Sequence, residues 1–116
     1  MSLTGDVAIT SITLAELLAG VRRLPEGRRK QELARGIEEA VAPYRGSRSV
    51  LAFDADAAER YAEVLAARDA AGAPISTADA QIAAICLACG AVCATRNVKD
   101  FQHTGVKIVD PWNVDA

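Results

Sequence analysis

The chain has 116 residues and a net charge of −2, with 51% hydrophobic, 24% charged and 4% aromatic residues. That is a single globular domain over 1–116, with enough apolar surface for one core and without the composition of a disordered chain. Scarce aromatics argue against a stacking platform for single-stranded bases, and the acidic balance means that a polyanion must be held by a local patch or through a metal.

No run of about 18 apolar residues is present, so no membrane span is expected. Residues 1–5 lack the basic and apolar segments of a secretory signal. Three cysteines in apolar settings suit a reducing cytoplasm.

Residues 7–12 (VAITSI) read as a β-branched strand. Thr13 with Glu16 three positions on fits a capping box, and Leu14, Leu17, Leu18 and Val21 give the following helix an apolar face. Pro25 and Gly27 punctuate, then a charged helix runs to about Ala42, before Pro43. Residues 49–53 (SVLAF) form a second strand. Asp54 or Asp56 caps a helix that continues to about Asp69, and Gly72-Ala73-Pro74 breaks it. Ser76 and Thr77 open a helix over 78–88 that is apolar on nearly every side and so buried. Gly90 ends it. Residues 91–95 are a third strand, 97–101 a turn or short helix, and 106–109 a final strand.

Short apolar strands separated by helices imply right-handed crossovers and an α/β fold with a parallel sheet covered on both faces. Such sheets bind ligands beyond the carboxyl ends of their strands. This rule selects Glu16 after the first strand, Asn97 and Asp100 after the third, and Asp79 in the first turn of the buried helix. Asp79 lies among Ala78, Ala80, Ile82, Ala83 and Ile85, where burial raises a carboxyl pKa and a helix N-terminus opposes that rise. Converging carboxylates without a lysine or arginine call for a hard divalent ion such as Mg²⁺ or Mn²⁺. Bound there, the ion activates water and holds a phosphate oxygen. A plainer role coexists with this one: Glu16 and Asp79 as partners of the caps at Thr13 and Ser76, and Asp100 as a solvated turn residue. Asp54 and Asp56 read as caps, and Asp6 lies at the wrong sheet edge.

Three segments carry a resemblance. They are ITSITLAEL at 9–17, PISTADAQIAA at 74–84 and ATRNVKDF at 94–101, with VDPW at 109–112 closing the pattern. Together they resemble a PIN domain of the VapC or FitB bacterial-toxin type, over essentially the whole chain. The resemblance implies a parallel sheet between helices, Mg²⁺- or Mn²⁺-dependent endoribonuclease action on RNA, a cognate antitoxin that blocks the site, and a homodimer. It carries over Glu16, Asp79 and Asp100 as metal-site acids, with Thr13, Thr95 and Asn97 as hydrogen-bonding support. One element of the pattern is missing: the family's opening strand, which ends in a metal-binding aspartate, and the helix after it. The chain as written therefore reads as an N-terminally truncated PIN-like domain, expected to bind metal weakly and cleave RNA poorly. The alternative reading is a non-catalytic truncated module that binds an antitoxin or itself.

Cys86 and Cys89 spell C-x-x-C, with Cys93 and His103 beyond. Their placement on a buried helix end, a strand and a distant turn reads as core cysteines and not as a zinc site. Arg22, Arg23, Arg28, Arg29 and Lys30 form a basic run that is either a solvated face or a contact for an RNA backbone. His103 has no nucleophile signature to serve. A receiver-like phospho-accepting domain lacks its strand-ending aspartate and its lysine.

Overall fold

A computed structural model of the chain describes residues 8–46, 50–95 and 97–109. Val7, Ser49, Asp6, Arg96 and the 110–112 segment, all used in the sequence reading, lie outside the described residues. The fold is mixed α/β, mostly helical with short parallel strands, and divides into two compact units, 2–51 and 52–116.

In the first unit β1 (Ile9–Thr10) pairs in parallel with β2 (Val50–Leu51), in register Ile9 to Val50 and Thr10 to Leu51. β1 is shorter than expected because Thr10 caps the next helix: its Oγ1 accepts a hydrogen bond from the Thr13 amide at 3.0 Å. Helix α1 (Ser11–Arg22) therefore begins immediately after β1, and the expected cap at Thr13 moves to Thr10. Thr13 instead sits in the first turn, and its Oγ1 accepts a bond from the Thr10 hydroxyl at 3.0 Å. Helix α2 (Arg28–Gly46) runs through Pro43 instead of stopping before it. A proline inside a helix removes one N–H and costs roughly 3 kcal/mol. Here it falls in the last turn, between buried Val41 and half-buried Tyr44.

In the second unit helix α3 (Ala55–Ala70) is capped by Asp54, whose Oδ1 accepts from the Ala57 amide at 3.0 Å. Helix α4 (Thr77–Cys89) is capped by Ser76 and closed by Gly90, which takes the left-handed conformation (φ 65°) that a residue with a Cβ resists. As its all-round apolarity requires, Ala80, Ala83, Ala84, Ile85 and Cys86 are buried. They form a core with Val64 of α3, Cys93, Phe101 and Val106. β3 (Cys93–Ala94) pairs in parallel with β4 (Ile108–Val109), and the one-turn helix α5 (Val98–Phe101) lies between them. The ladder is held by Cys93 N–H to Lys107 O at 2.8 Å and Thr95 N–H to Val109 O at 3.0 Å. The strands are thus parallel as expected. Among the described residues, however, they form two separate two-stranded ladders, one per unit, and not one continuous sheet.

Candidate active site

Glu16 and Thr13 belong to the first unit, on α1. Three residues apart, they lie on one helix face, Thr13 half-buried and Glu16 exposed. The Thr13 hydroxyl accepts from Thr10, which leaves its own proton free to be donated.

Asp79, Thr95, Asn97 and Asp100 belong to the second unit. Asp79 is half-buried in the first turn of α4, its amide bonded to Ser76 Oγ at 3.1 Å. Its carboxylate lies near enough to Cys93 in β3 for its charge to oppose ionisation of that thiol. β3 runs directly into Thr95 and Asn97. The Asn97 amide donates to Thr95 Oγ1 at 3.0 Å, a local turn that starts α5. The Asn97 side chain makes no capping bond, so it is not spent on the helix start. Asp100 is exposed in the first turn of α5.

These residues offer oxygen ligands only. That chemistry fits a hard divalent ion, Mg²⁺ or Mn²⁺, and not zinc, which prefers nitrogen and sulfur. Among the described residues no three His, Cys, Asp or Glu side chains gather at metal-binding spacing. Asp79 and Asp100 lie in the second unit and Glu16 in the first.

The cysteines divide. Cys86 and Cys93 are buried in the core as expected, but Cys89 is exposed, because it is the last residue of α4 beside the Gly90 turn. The Cys86 thiol is held protonated well above the usual thiol range by its hydrogen bond with Cys93, and by burial. The same bond lowers Cys93, against burial and the Asp79 charge.

The basic run is exposed throughout, except for half-buried Lys30. Lys30 Nζ donates to Arg22 O at 3.2 Å and to Glu26 Oε1 at 2.6 Å, so it closes the end of α1. Arg22, Arg23, Arg28 and Arg29 have no ion pair among the described residues. Arg28 and Arg29 open α2, whose first turn holds no acidic residue, although cations there oppose the helix dipole.

Arg68 went unnoticed in the sequence. It is 5% exposed, and its guanidinium donates to five main-chain carbonyls: Ala73, Pro74, Lys99, Asp100 and Gln102. A signal was available. Ala57, Tyr61, Val64, Leu65 and Arg68 fall on one helical stripe, so the arginine occupies a core position.

The family model for the PIN domain matches residues 1–107. The chain belongs to the PIN domain family. It is 42% identical over 104 residues to plasmid stability protein StbB of Pseudomonas syringae pv. tomato, covering 90% of this chain and 74% of that one. VapC ribonuclease Y4jK of Sinorhizobium fredii is 38% identical over the same shares, and toxin FitB of Neisseria gonorrhoeae is 33% identical over 93% of this chain and 77% of its own. Among solved structures, FitAcB from Neisseria gonorrhoeae superposes with a TM-score of 0.83 at 33% identity, over 93% of this chain and 77% of that one. VapBC-5 from Mycobacterium tuberculosis, a member of the VapBC family of toxin-antitoxin systems, superposes with a TM-score of 0.75 at 27% identity, over 89% and 80%. No helix among this PIN domain's described residues is long and apolar enough to cross a membrane.

Proposed function

We propose that this PIN domain is the toxin of a type II toxin-antitoxin system and a Mg²⁺- or Mn²⁺-dependent endoribonuclease. The observation that carries the reading is the PIN match over 1–107, which spans Glu16, Asp79 and Asp100, in a chain 38% identical to a VapC ribonuclease. On the family pattern, Glu16, Asp79 and Asp100 would hold the ion. A bound ion of this class supplies an ionised water and positive charge on the phosphate oxygens. Thr13, Thr95 and Asn97 orient the acids or the attacking water: the two hydroxyls accept one bond each and keep a proton to donate, and the Asn97 side chain makes no capping bond. Arg22, Arg23, Arg28 and Arg29 hold the RNA backbone. Their unpaired exposure, and the dipole penalty that Arg28 and Arg29 accept, support that role.

The direct test is cleavage of a labelled RNA by the purified chain with Mn²⁺. The expected outcome is EDTA-sensitive cleavage, abolished in D79N and D100N. No cleavage by the wild-type chain sinks the nuclease reading, and cleavage that survives both substitutions removes Asp79 and Asp100 from the site.

The second reading is a binding module, and one observation favours it. A groove of about 270 Å³ between α1 and α2 is lined by Leu18, Val21, Ala34 and Ile37, with Arg22, Lys30 and Glu38 among its lining. Leu17 and Leu33 on the same two helices are 41% and 42% exposed. An amphipathic antitoxin segment fits such a groove by apolar anchors at helical spacing. Loss of antitoxin binding in Val21→Glu, with RNA cleavage kept, would separate the two activities.

A further inference from the structure

We infer that Arg68 is a positioning residue for the metal-site acids of the second unit, a role that rests on the metal-nuclease reading above. Its guanidinium joins two stretches of main chain. Nε and Nη2 donate to Ala73 O at 2.6 Å and Pro74 O at 2.8 Å, on the loop that leads through the Ser76 cap into the first turn of α4 and Asp79. Nη1 donates to Asp100 O at 3.0 Å and Gln102 O at 2.8 Å, with Lys99 O further off at 3.4 Å. Asp100 is therefore held by its own carbonyl and by carbonyls on both sides of it.

The chemistry of these partners explains why an arginine occupies a core position. α5 is only four residues long, so its carbonyls have almost no helical N–H to meet. The loop after α3 has the same need, and there the Arg68 carbonyl accepts from the Ala73 amide at 2.9 Å, so residue 73 is grasped twice. A planar fork with five N–H groups meets both sets at once, while a lysine has three donors on a single atom. No buried side-chain nitrogen or oxygen among the described residues is left without a partner. Among the described residues no carboxylate pairs with Arg68, so there the positive charge is met by carbonyl dipoles and the Asp79 and Asp100 carboxylates are not neutralised by it. A structural ion pair would have consumed one of those acids. This arrangement fixes their backbones and leaves their charge for a cation.

The experiment is Mn²⁺ titration of the full chain, free Mn²⁺ being counted by electron paramagnetic resonance. Wild type, R68K and V64A are compared where circular dichroism finds all three folded. Val64 is fully buried one turn back on the same helix and serves as a packing control. The expected result is about tenfold weaker Mn²⁺ binding in R68K, the loss typical of removing support behind a metal ligand, and an unchanged constant in V64A. Equal constants in wild type and R68K, or equal weakening in R68K and V64A, overturn the positioning role while leaving the metal reading in place. Wild type that takes up no Mn²⁺ overturns the metal reading and this inference with it. If R68K does not fold, R68A with millimolar methylguanidinium replaces it. Restored Mn²⁺ binding supports the role, and none overturns it.

Discussion

At the scale of single residues, the three cysteines differ in chemistry although the sequence presents them alike. Cys89 is exposed, while Cys86 and Cys93 lie in the core of the second unit. Partial burial and the nearby Asp54 and Cys86 push the Cys89 thiol above its ordinary value of 9.0. Alkylation with iodoacetamide should therefore modify Cys89 alone in the folded chain. Because the thiolate is the reactive form, its rate should still be climbing as pH passes 9.0. Peptide mass spectrometry after timed labelling checks both points, and labelling of Cys86 or Cys93 ahead of Cys89 would contradict the packing described. Arg68 makes the opposite point. A charged residue on an apolar stripe looks like a defect in a helix until its five carbonyl partners are seen.

Among the elements, α4 bears most on the site, because its first turn carries Asp79. Ser76 accepts the Asp79 amide, so the cap and the acid share one turn. Replacing Ser76 by alanine should cost about 1 kcal/mol of stability, read from urea unfolding. The same change should loosen the Asp79 turn and raise its amide hydrogen exchange. Ile85, with no exposed surface, is the deeper test of the same helix. Ile85→Val should cost about 0.5–1.5 kcal/mol without altering exchange at residues 76–79. A Ser76→Ala variant as stable as wild type would show that the cap is redundant. The one-turn α5 has no such reserve of helical bonds, and its place depends on Arg68 donors and on buried Phe101.

For the whole molecule, the proposed metal site has a thermodynamic consequence: an ion that binds only the folded chain adds its binding energy to the stability. At a Mn²⁺ concentration ten times the dissociation constant this is about 1.4 kcal/mol. Thermal unfolding should shift upward with Mn²⁺ in the wild type and much less in E16Q. An equal shift in both would remove Glu16 from the proposed ligands.

Much of this was legible in the sequence. Asp54 or Asp56, and Ser76, read as helix starts and Gly90 as a stop, because capping chemistry is local and is written within three or four residues; the structure selects Asp54. The parallel strands and the buried α4 followed from apolar runs alternating with helices. What the sequence could not disclose depends on partners distant in the chain. The cap at Thr10 displaced the one read at Thr13, Pro43 was carried inside α2, and the ladders closed as two separate pairs. The sequence by itself determined the residue types of the candidate site and the order of the elements that bear them, since both rest on short-range periodicity. Only the tertiary structure decided that Arg68 ties the Asp100 turn to the approach of α4. Its donors meet carbonyls about thirty residues away in the chain, and main-chain carbonyls have no signature in a sequence.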